Sequence, residues 1–550
     1  MTACIYFDPE GYSTSGPRLM GRNAAGESFL RGFIRHSVTE KFWAQVRHAE
    51  HGELFKSEIR SHERNESIGI VDYNSFSKLS EPGTLYFPGP NIGNFAFHRG
   101  TFGHGSWSLC GITHTTSSAS SMDSISELLT APVQAWDALI CTSTAVKSNV
   151  NRILQAQVDY LKDRLGVTRL VLPQLPVIPL GINTDDFLYT DAQKAAARFD
   201  LNIAAESLVV VYMGRLSFHA KAHPLAMYQA LERASQSSNK TIVLIECGWH
   251  ANDSIAKAFA DAARLACPSV RVINLDGREA KLRNQAWSSA DVFCSLSDNI
   301  QETFGIVPIE AMAAGLPVVV SDWDGYKDTV RDGIDGFRIS TLMPKPGLGA
   351  DLAQRHARGI DNYDMYCGQS SSLISVNVDS AAEAFQRLFS SIDLRRKFGE
   401  AGRIRAQQIY DWKNIIPKYE ELWSELSSIR IRESKSIQLS AHPWPARMDP
   451  FESFAGYPTF TLSPKSRLSL AVRNKDAAIN LLKNYFKLDM VNYSKYVIPN
   501  DDEIHAILNN ASGVIRTAEE LVSGIASERE PYAIRGLAWL LKLGILKHHP

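Results

Sequence analysis

Along most of the chain, short apolar runs alternate with longer segments whose apolar positions recur every three or four residues. That rhythm predicts an α/β fold with mostly parallel strands, since each apolar run is followed by a helix-length crossover. In the first half the runs at 2–7, 85–87, 108–112, 138–141 and 176–179 are candidate strands, and 27–35 and 146–165 are candidate helices. The second half is clearer. Strands are expected at 207–212, 241–245, 270–274, 291–296 and 317–321, with helices at 224–234, 251–265, 281–290 and 308–314 between them. One βα unit after another makes a doubly wound sheet, whose sites lie at the carboxyl ends of the strands. Pro173, Pro176 and Pro179 punctuate the chain before Gly181 and place a domain boundary in 181–198.

The rhythm breaks at 341–380, where Pro344, Pro346, Gly347 and Gly349 precede Tyr363, Tyr366 and Gly368. An irregular insertion is expected there, either a functional flap or a packed excursion. Helices resume at 381–390, 393–410 and 412–426. After Ile431 the stretch HPWPARMDPFESFAGYPTF reads as a linker or extended arm. The last part, 501–546, is expected to form a small helical, winged-helix-like module in which Thr517 caps a turn with Glu520 three residues on.

Composition narrows the function classes. At about 150 residues per domain, 550 residues make three to four units. Lys and Arg (58) balance Asp and Glu (59), so a polybasic nucleic-acid binder is not expected. The seven cysteines include no C-x-x-C pair, which points to a reduced, cytoplasmic chain and against a thiolate metal site. The first residues, MTACIYFDPEGYST, lack the basic and apolar regions of an export signal, and no apolar stretch is long enough to span a bilayer.

Candidate chemistry concentrates in 301–318, QETFGIVPIEAMAAGLPV. Glu302 lies in a strand-to-helix turn, Gly305 permits close backbone approach by a ligand, and Glu310 falls within the following helix. The free N–H groups of that helix suit an anion or hydroxyls. On the residues alone, Glu302 could equally cap the turn and Glu310 face solvent. Gly214-Arg215-Leu216 closes an expected strand, and Lys221 follows six positions after Arg215. Two fixed cations suit a leaving group that gathers negative charge, although a surface Gly-Arg turn would read the same way. Gly21 and Gly26 are read as a glycine-bearing loop ahead of a helix starting near Ser28, with an extra loop over 8–20. His114 follows the run at 109–112.

Glu302, seven intervening residues and Glu310, then Ala-Met-Ala-Ala-Gly-Leu-Pro-Val, resemble the signature of retaining GT-B glycosyltransferases, specifically glycosyltransferase family 4. The resemblance covers about 1–430 and is strongest over 205–340. It implies a GT-B fold: a Rossmann-like acceptor domain over 1–185, a Rossmann-like nucleotide-sugar domain over 186–411 and a helix at 412–430 crossing back. The remainder is read as a linker over 431–494 and a helical module over 495–550.

The implied activity is transfer of a hexose from a UDP-, GDP- or ADP-sugar to a hydroxyl acceptor, without cofactor or metal. Glu302 would contact the transferred sugar and Glu310 the ribose. The Thr303, Phe304 and Gly305 backbone would lie near sugar and phosphates, and Gly214, Arg215 and Lys221 would hold the diphosphate. Ala222 stands where the family has Gly, and the Arg215 to Lys221 spacing is one residue longer than usual. Gly21 and Gly26 would border the cleft, and His114 would face the reacting sugar. The donor stays open, as does the acceptor, which could be a carbohydrate, a lipid-linked molecule, a protein or a small molecule; a homo-oligomer, a sugar synthase or phosphorylase on the same fold and a non-catalytic scaffold stay open too.

Overall fold

The computed structural model describes residues 2–13, 21–437 and 442–550, and the chain divides into units Met1–Trp444 and Pro445–Pro550. In the first unit, β1 (Cys4–Tyr6), β2 (Lys41–Gln45), β3 (Ser67–Val71), β4 (Thr84–Tyr86), β5 (Ser108–Ile112) and β6 (Ala138–Ile140) form one parallel sheet in the order β3-β2-β1-β4-β5-β6. A second parallel sheet holds β7 (Leu208–Met213), β8 (Ile242–Gly248), β9 (Arg271–Asp276), β10 (Val292–Ser295), β11 (Val318–Ser321) and β12 (Gly336–Ile339), in the order β12-β11-β10-β7-β8-β9. β7 and β8 are buried along their whole length, as strands covered by helices on both faces must be. Each sheet reverses its strand order once, at β1/β4 and at β7/β10, and crevices open beyond the carboxyl ends at such points.

Three local expectations are corrected in the first lobe. β2 and β3 are not among the expected strands: Lys41 and Gln45 flank the short apolar centre of β2, and β3 opens on Ser67 and carries Gly69, a residue that weakens a strand pattern. The expected strand at 176–179 contributes a single bridge, Cys141 to Val177, since Pro176 and Pro179 have no N–H to donate. Gly21 and Gly26 lie inside the helix Gly21–His36, not in a loop ahead of it. A Cβ at Gly26 would stand 2.2 Å from the Gly11 carbonyl oxygen, so this glycine lets the helix press against the 3-10 turn Pro9–Tyr12. Most of the extra loop expected over 8–20 lies outside the described residues.

The helix Trp412–Glu433 packs on the first lobe. Its fully buried Trp412 donates an Nε1–H bond to Ser28 Oγ at 2.8 Å and meets Phe29 edge-on at 5.7 Å. Glycine at 32 and 181 makes room for the indole, because a Cβ at either would lie 2.4 and 2.6 Å from it. Truncating such a side chain to Ala costs about 3–5 kcal/mol. The 341–380 insertion is folded: β13 (Thr341–Leu342) and β14 (Ser375–Val376) pair antiparallel at its root, and helices Ala350–Ala357 and Tyr363–Ser371 lie between them.

The second unit is mostly helical around a small antiparallel sheet of β15 (Arg467–Leu470), β16 (Arg516–Thr517) and β17 (Leu546–His549), in the order β16-β15-β17. Helices Lys475–Tyr485, Asp501–Asn510 and Glu530–Lys542 supply much of its core, including Leu482, Ile507, Leu508, Leu537 and Leu540. The Thr517 and Glu520 capping box forms as the spacing predicts. The stretch 431–494 is not a linker throughout, because β15 is the central strand and the Lys475–Tyr485 helix joins the core. β15 pairs with residues about fifty and eighty positions later, which no local pattern reveals.

Candidate active site

The switch point of the second lobe gathers the expected charges. Gly214 leaves β7 with φ of +145°, and a Cβ on Gly248 would lie 1.9 Å from its carbonyl oxygen. Glycine at both positions lets two strand ends close on each other. In the loop beyond, Arg215 donates through Nη2 to Ala220 O at 2.6 Å, and Asn299 Nδ2 donates to His219 O at 3.0 Å. The long spacing does not carry Lys221 away: its Nζ is 2.5 Å from Glu302 Oε2.

Glu302 follows β10 and is nearly buried, its side chain 9% exposed. Burial alone would raise its carboxyl. The Lys221 ammonium and the N–H groups of Thr303 and Phe304 outweigh that and hold it below the ordinary value. Gly305 starts the helix Ile306–Ala313 with φ of +80°, where a Cβ would collide with the Tyr326 ring at 1.9 Å. Glu310, in the second turn, is pushed up to about 7 by burial, opposed by the charge of Arg283. Arg283 comes from the helix Ala280–Ser289 and donates to Gly277 O at 2.8 Å. One end of the turn therefore holds a carboxylate fixed as an anion, and the other a carboxyl poised to change charge near neutrality.

The first lobe meets this cluster with backbone and hydroxyl groups. Thr303 Oγ1 donates to His114 O at 3.1 Å, and Ser143 Oγ donates to Thr303 O at 2.8 Å. Ser143 also caps the helix Thr144–Leu165, and Thr144 N and Oγ1 donate to Asp328 at 2.6 and 2.7 Å. Asp324 takes φ of +43°, uncommon for a residue with a Cβ, and accepts from Ser143 Oγ at 3.4 Å. Burial first, and then the charge of Glu302, raise its carboxyl well above the ordinary range.

His114, Lys221, Glu302 and Thr303 are thus linked by direct contacts, with Phe304 and Gly305 next in the chain, Gly214 and Arg215 on the Lys221 loop and Glu310 on the adjoining helix. The close contacts of Gly26 run instead to Gly11 and Tyr12, and Gly21 opens the same helix. Ser143, Asp324 and Arg283 were not singled out in the sequence. A Ser-Thr pair ahead of the Val146 run is a capping signal that marks Ser143; the other two carry no local signal. Among the described residues, no three His, Cys, Asp or Glu side chains come together as a metal site. No described helix is long and apolar enough to cross a membrane.

Residues 193–342 match the family described as glycosyl transferases group 1. Over 187 residues the chain is 28% identical to a D-inositol 3-phosphate glycosyltransferase of Nocardia farcinica, covering 33% of this chain and 40% of that protein. It is 31% identical over 167 residues to a phosphatidyl-myo-inositol mannosyltransferase of Mycobacterium tuberculosis, covering 30% and 40%. The matched part thus spans about two fifths of the length of these relatives. Among solved structures, HepE of Anabaena, crystallised with UDP and glucose, aligns with a TM-score of 0.50 at 15% identity over 77% of this chain and all of that one. That likeness is one of fold.

Proposed function

We propose, from the match of residues 193–342 to the family described as glycosyl transferases group 1, that the chain transfers a sugar from a nucleoside-diphosphate sugar to a hydroxyl acceptor, with retention of configuration. The observation that carries this reading is the Lys221 and Glu302 pair, set with Glu310 around the first turns of one helix at the β7/β10 switch point. As the bond to the sugar breaks, the diphosphate gathers charge, and Arg215 and Lys221 supply fixed cations for it. Lys221 begins on Glu302, so its ammonium is already largely buried and held within the site. Glu302, kept anionic, accepts from a hydroxyl of the transferred sugar. Glu310 accepts from the ribose. His114 borders the reacting sugar from the first lobe, and the departing phosphate takes the acceptor proton. Metal is not part of this scheme, since the cations and the helix N-terminus meet the phosphates. Seven free, buried thiols fit a reducing cytosol.

The test is calorimetric titration of wild type and Glu310→Ala with UDP, GDP, ADP and their hexose derivatives. Selective binding by wild type that weakens in the variant supports the donor site and identifies the nucleotide. Absence of binding across the panel overturns the reading.

A further inference from the structure

The 341–380 insertion is braced internally and applied to the site. Arg355 grips Asp361 with two hydrogen bonds at 2.8 and 2.9 Å, and the His356 and Tyr366 rings stack at 4.3 Å, fastening the two inserted helices together. On the Tyr363–Ser371 helix, positions 363, 367, 368 and 371 fall on one face at helical spacing, and Cys367 and Ser371 are buried. That face touches both lobes. Tyr363 OH is 3.5 Å from Thr115 Oγ1, and the Cys367 thiol is 3.8 Å from Ser117 Oγ, both in the loop that follows His114. On the other side, Gly368 abuts the loop between Arg215 and Lys221: a Cβ there would lie 2.8 Å from His219 Cβ and 3.1 Å from His219 O. Cys367 also feels the charge of Arg215. The outer helix, Ala350–Ala357, buries no residue, so contact with the site falls to the inner one.

We propose that the Tyr363–Ser371 helix is a positioning element of the transfer site, holding the Arg215–Lys221 cation loop and the 115–117 loop of the first lobe in register. The proposal rests on the glycosyl-transfer reading for its purpose, but its geometry stands apart from it. A cation loop displaced by a few tenths of an ångström holds a diphosphate less tightly while the rest of a nucleotide is held as before.

The test compares wild type, Gly368→Ala and Tyr363→Phe as full-length chains. Two readouts are used: amide hydrogen exchange, and titration with nucleoside mono- and diphosphates of the base that wild type prefers. Gly368→Ala is expected to speed exchange in 215–222 and to weaken the diphosphate about tenfold while monophosphate affinity stays within about twofold. Tyr363→Phe, which removes one hydroxyl, is expected to speed exchange in 113–118 and to leave both affinities within about twofold. Unchanged exchange in 215–222 in Gly368→Ala, or equal weakening of mono- and diphosphate, overturns the proposal. If wild type binds no nucleotide, the glycosyl-transfer reading fails and exchange alone decides the positioning role. Should Gly368→Ala fail to fold, Tyr363→Phe decides: exchange in 113–118 equal to wild type overturns it.

Discussion

In the second lobe, Arg215, Lys221, Glu302 and Glu310 converge at the β7/β10 switch point, whereas the ends of β5 and β6 in the first lobe offer the His114 carbonyl and the Ser143 hydroxyl. The two sheets share one strand order read in opposite directions, so topology does not explain the difference. Ionised groups in a partly dry site interact strongly with a charged ligand. Hydroxyl and carbonyl groups mainly align one surface against another. On the proposed reading, the second lobe would take the charged donor and the first would serve closure and orientation.

The largest expected effect lies in the charged pair. Glu302→Gln leaves Lys221 largely buried without its anion and, on the proposed reading, removes the carboxylate that accepts from a sugar hydroxyl. Turnover of the preferred nucleotide sugar, followed as nucleoside diphosphate released, should fall by about 10²–10³-fold, the scale for losing one preorganised electrostatic contact. An equal fall in Ser143→Ala would erase the distinction between the lobes.

Next in size is a pH dependence seated on Glu310. Its carboxyl titrates near 7 in the free protein, so the ionised fraction rises about tenfold between pH 6 and 8. If Glu310 holds the ribose as proposed, a ribose hydroxyl donates to the ionised form, and nucleoside diphosphate affinity should rise by up to about tenfold over that interval and flatten in Glu310→Gln. Stability runs the opposite way. A carboxyl whose folded pKa is raised above its unfolded value stabilises the native state below about pH 4.5, and that contribution is lost as pH rises through 7. Glu310→Gln should therefore raise the thermal midpoint at pH 8 relative to wild type, with the gain shrinking toward pH 5. An affinity that does not change with pH would remove Glu310 from the ribose.

The contrast between lobes also governs what was legible in the chain. β7 and β10 are continuous apolar runs, and Glu302, Gly305 and Glu310 lie within nine residues, so local pattern was enough to place them. In the first lobe, β2 is bounded by Lys41 and Gln45, β3 is a short run interrupted by Gly69, and Gly21 and Gly26 suit a loop as readily as the packed helix they join. What makes Gly26 tolerable inside a helix is the Gly11 carbonyl pressed against it, a contact made only after folding. Ser143 meets Thr303 across 160 positions, and Gly368 reaches His219 only once the insertion has folded. Charged motifs are local because one turn presents them; the surface that meets them is assembled from distant segments.

A smaller effect is expected from the hydroxyl side. Ser143→Ala removes the donor to Thr303 O, and a hydrogen bond of this kind is worth about 1 kcal/mol net, or about fivefold in an equilibrium between open and closed lobes. Turnover should drop by about that factor, with nucleoside diphosphate affinity nearly unchanged if the donor is held by the second lobe alone. A large loss of nucleotide affinity would show that closure contributes to donor binding and would blur the division of labour.

The smallest effect should come from a charge of the second lobe that lies away from the switch point. Arg233 pairs with Asp379 on the surface, with side chains 50% and 83% exposed. Water screens both partners, and holding two mobile side chains together costs entropy, so such pairs contribute about 0.5 kcal/mol or less. Arg233→Ala should leave the thermal midpoint within about a degree and turnover unchanged, where Glu302→Gln removes nearly all activity. If Arg233→Ala instead lowered turnover tenfold, the second lobe would act on its ligand through its overall field, and the convergence of Lys221, Glu302 and Glu310 would lose its special standing. Burial separates the two cases: the Glu302 side chain is 9% exposed and its charge acts where little water remains to screen it.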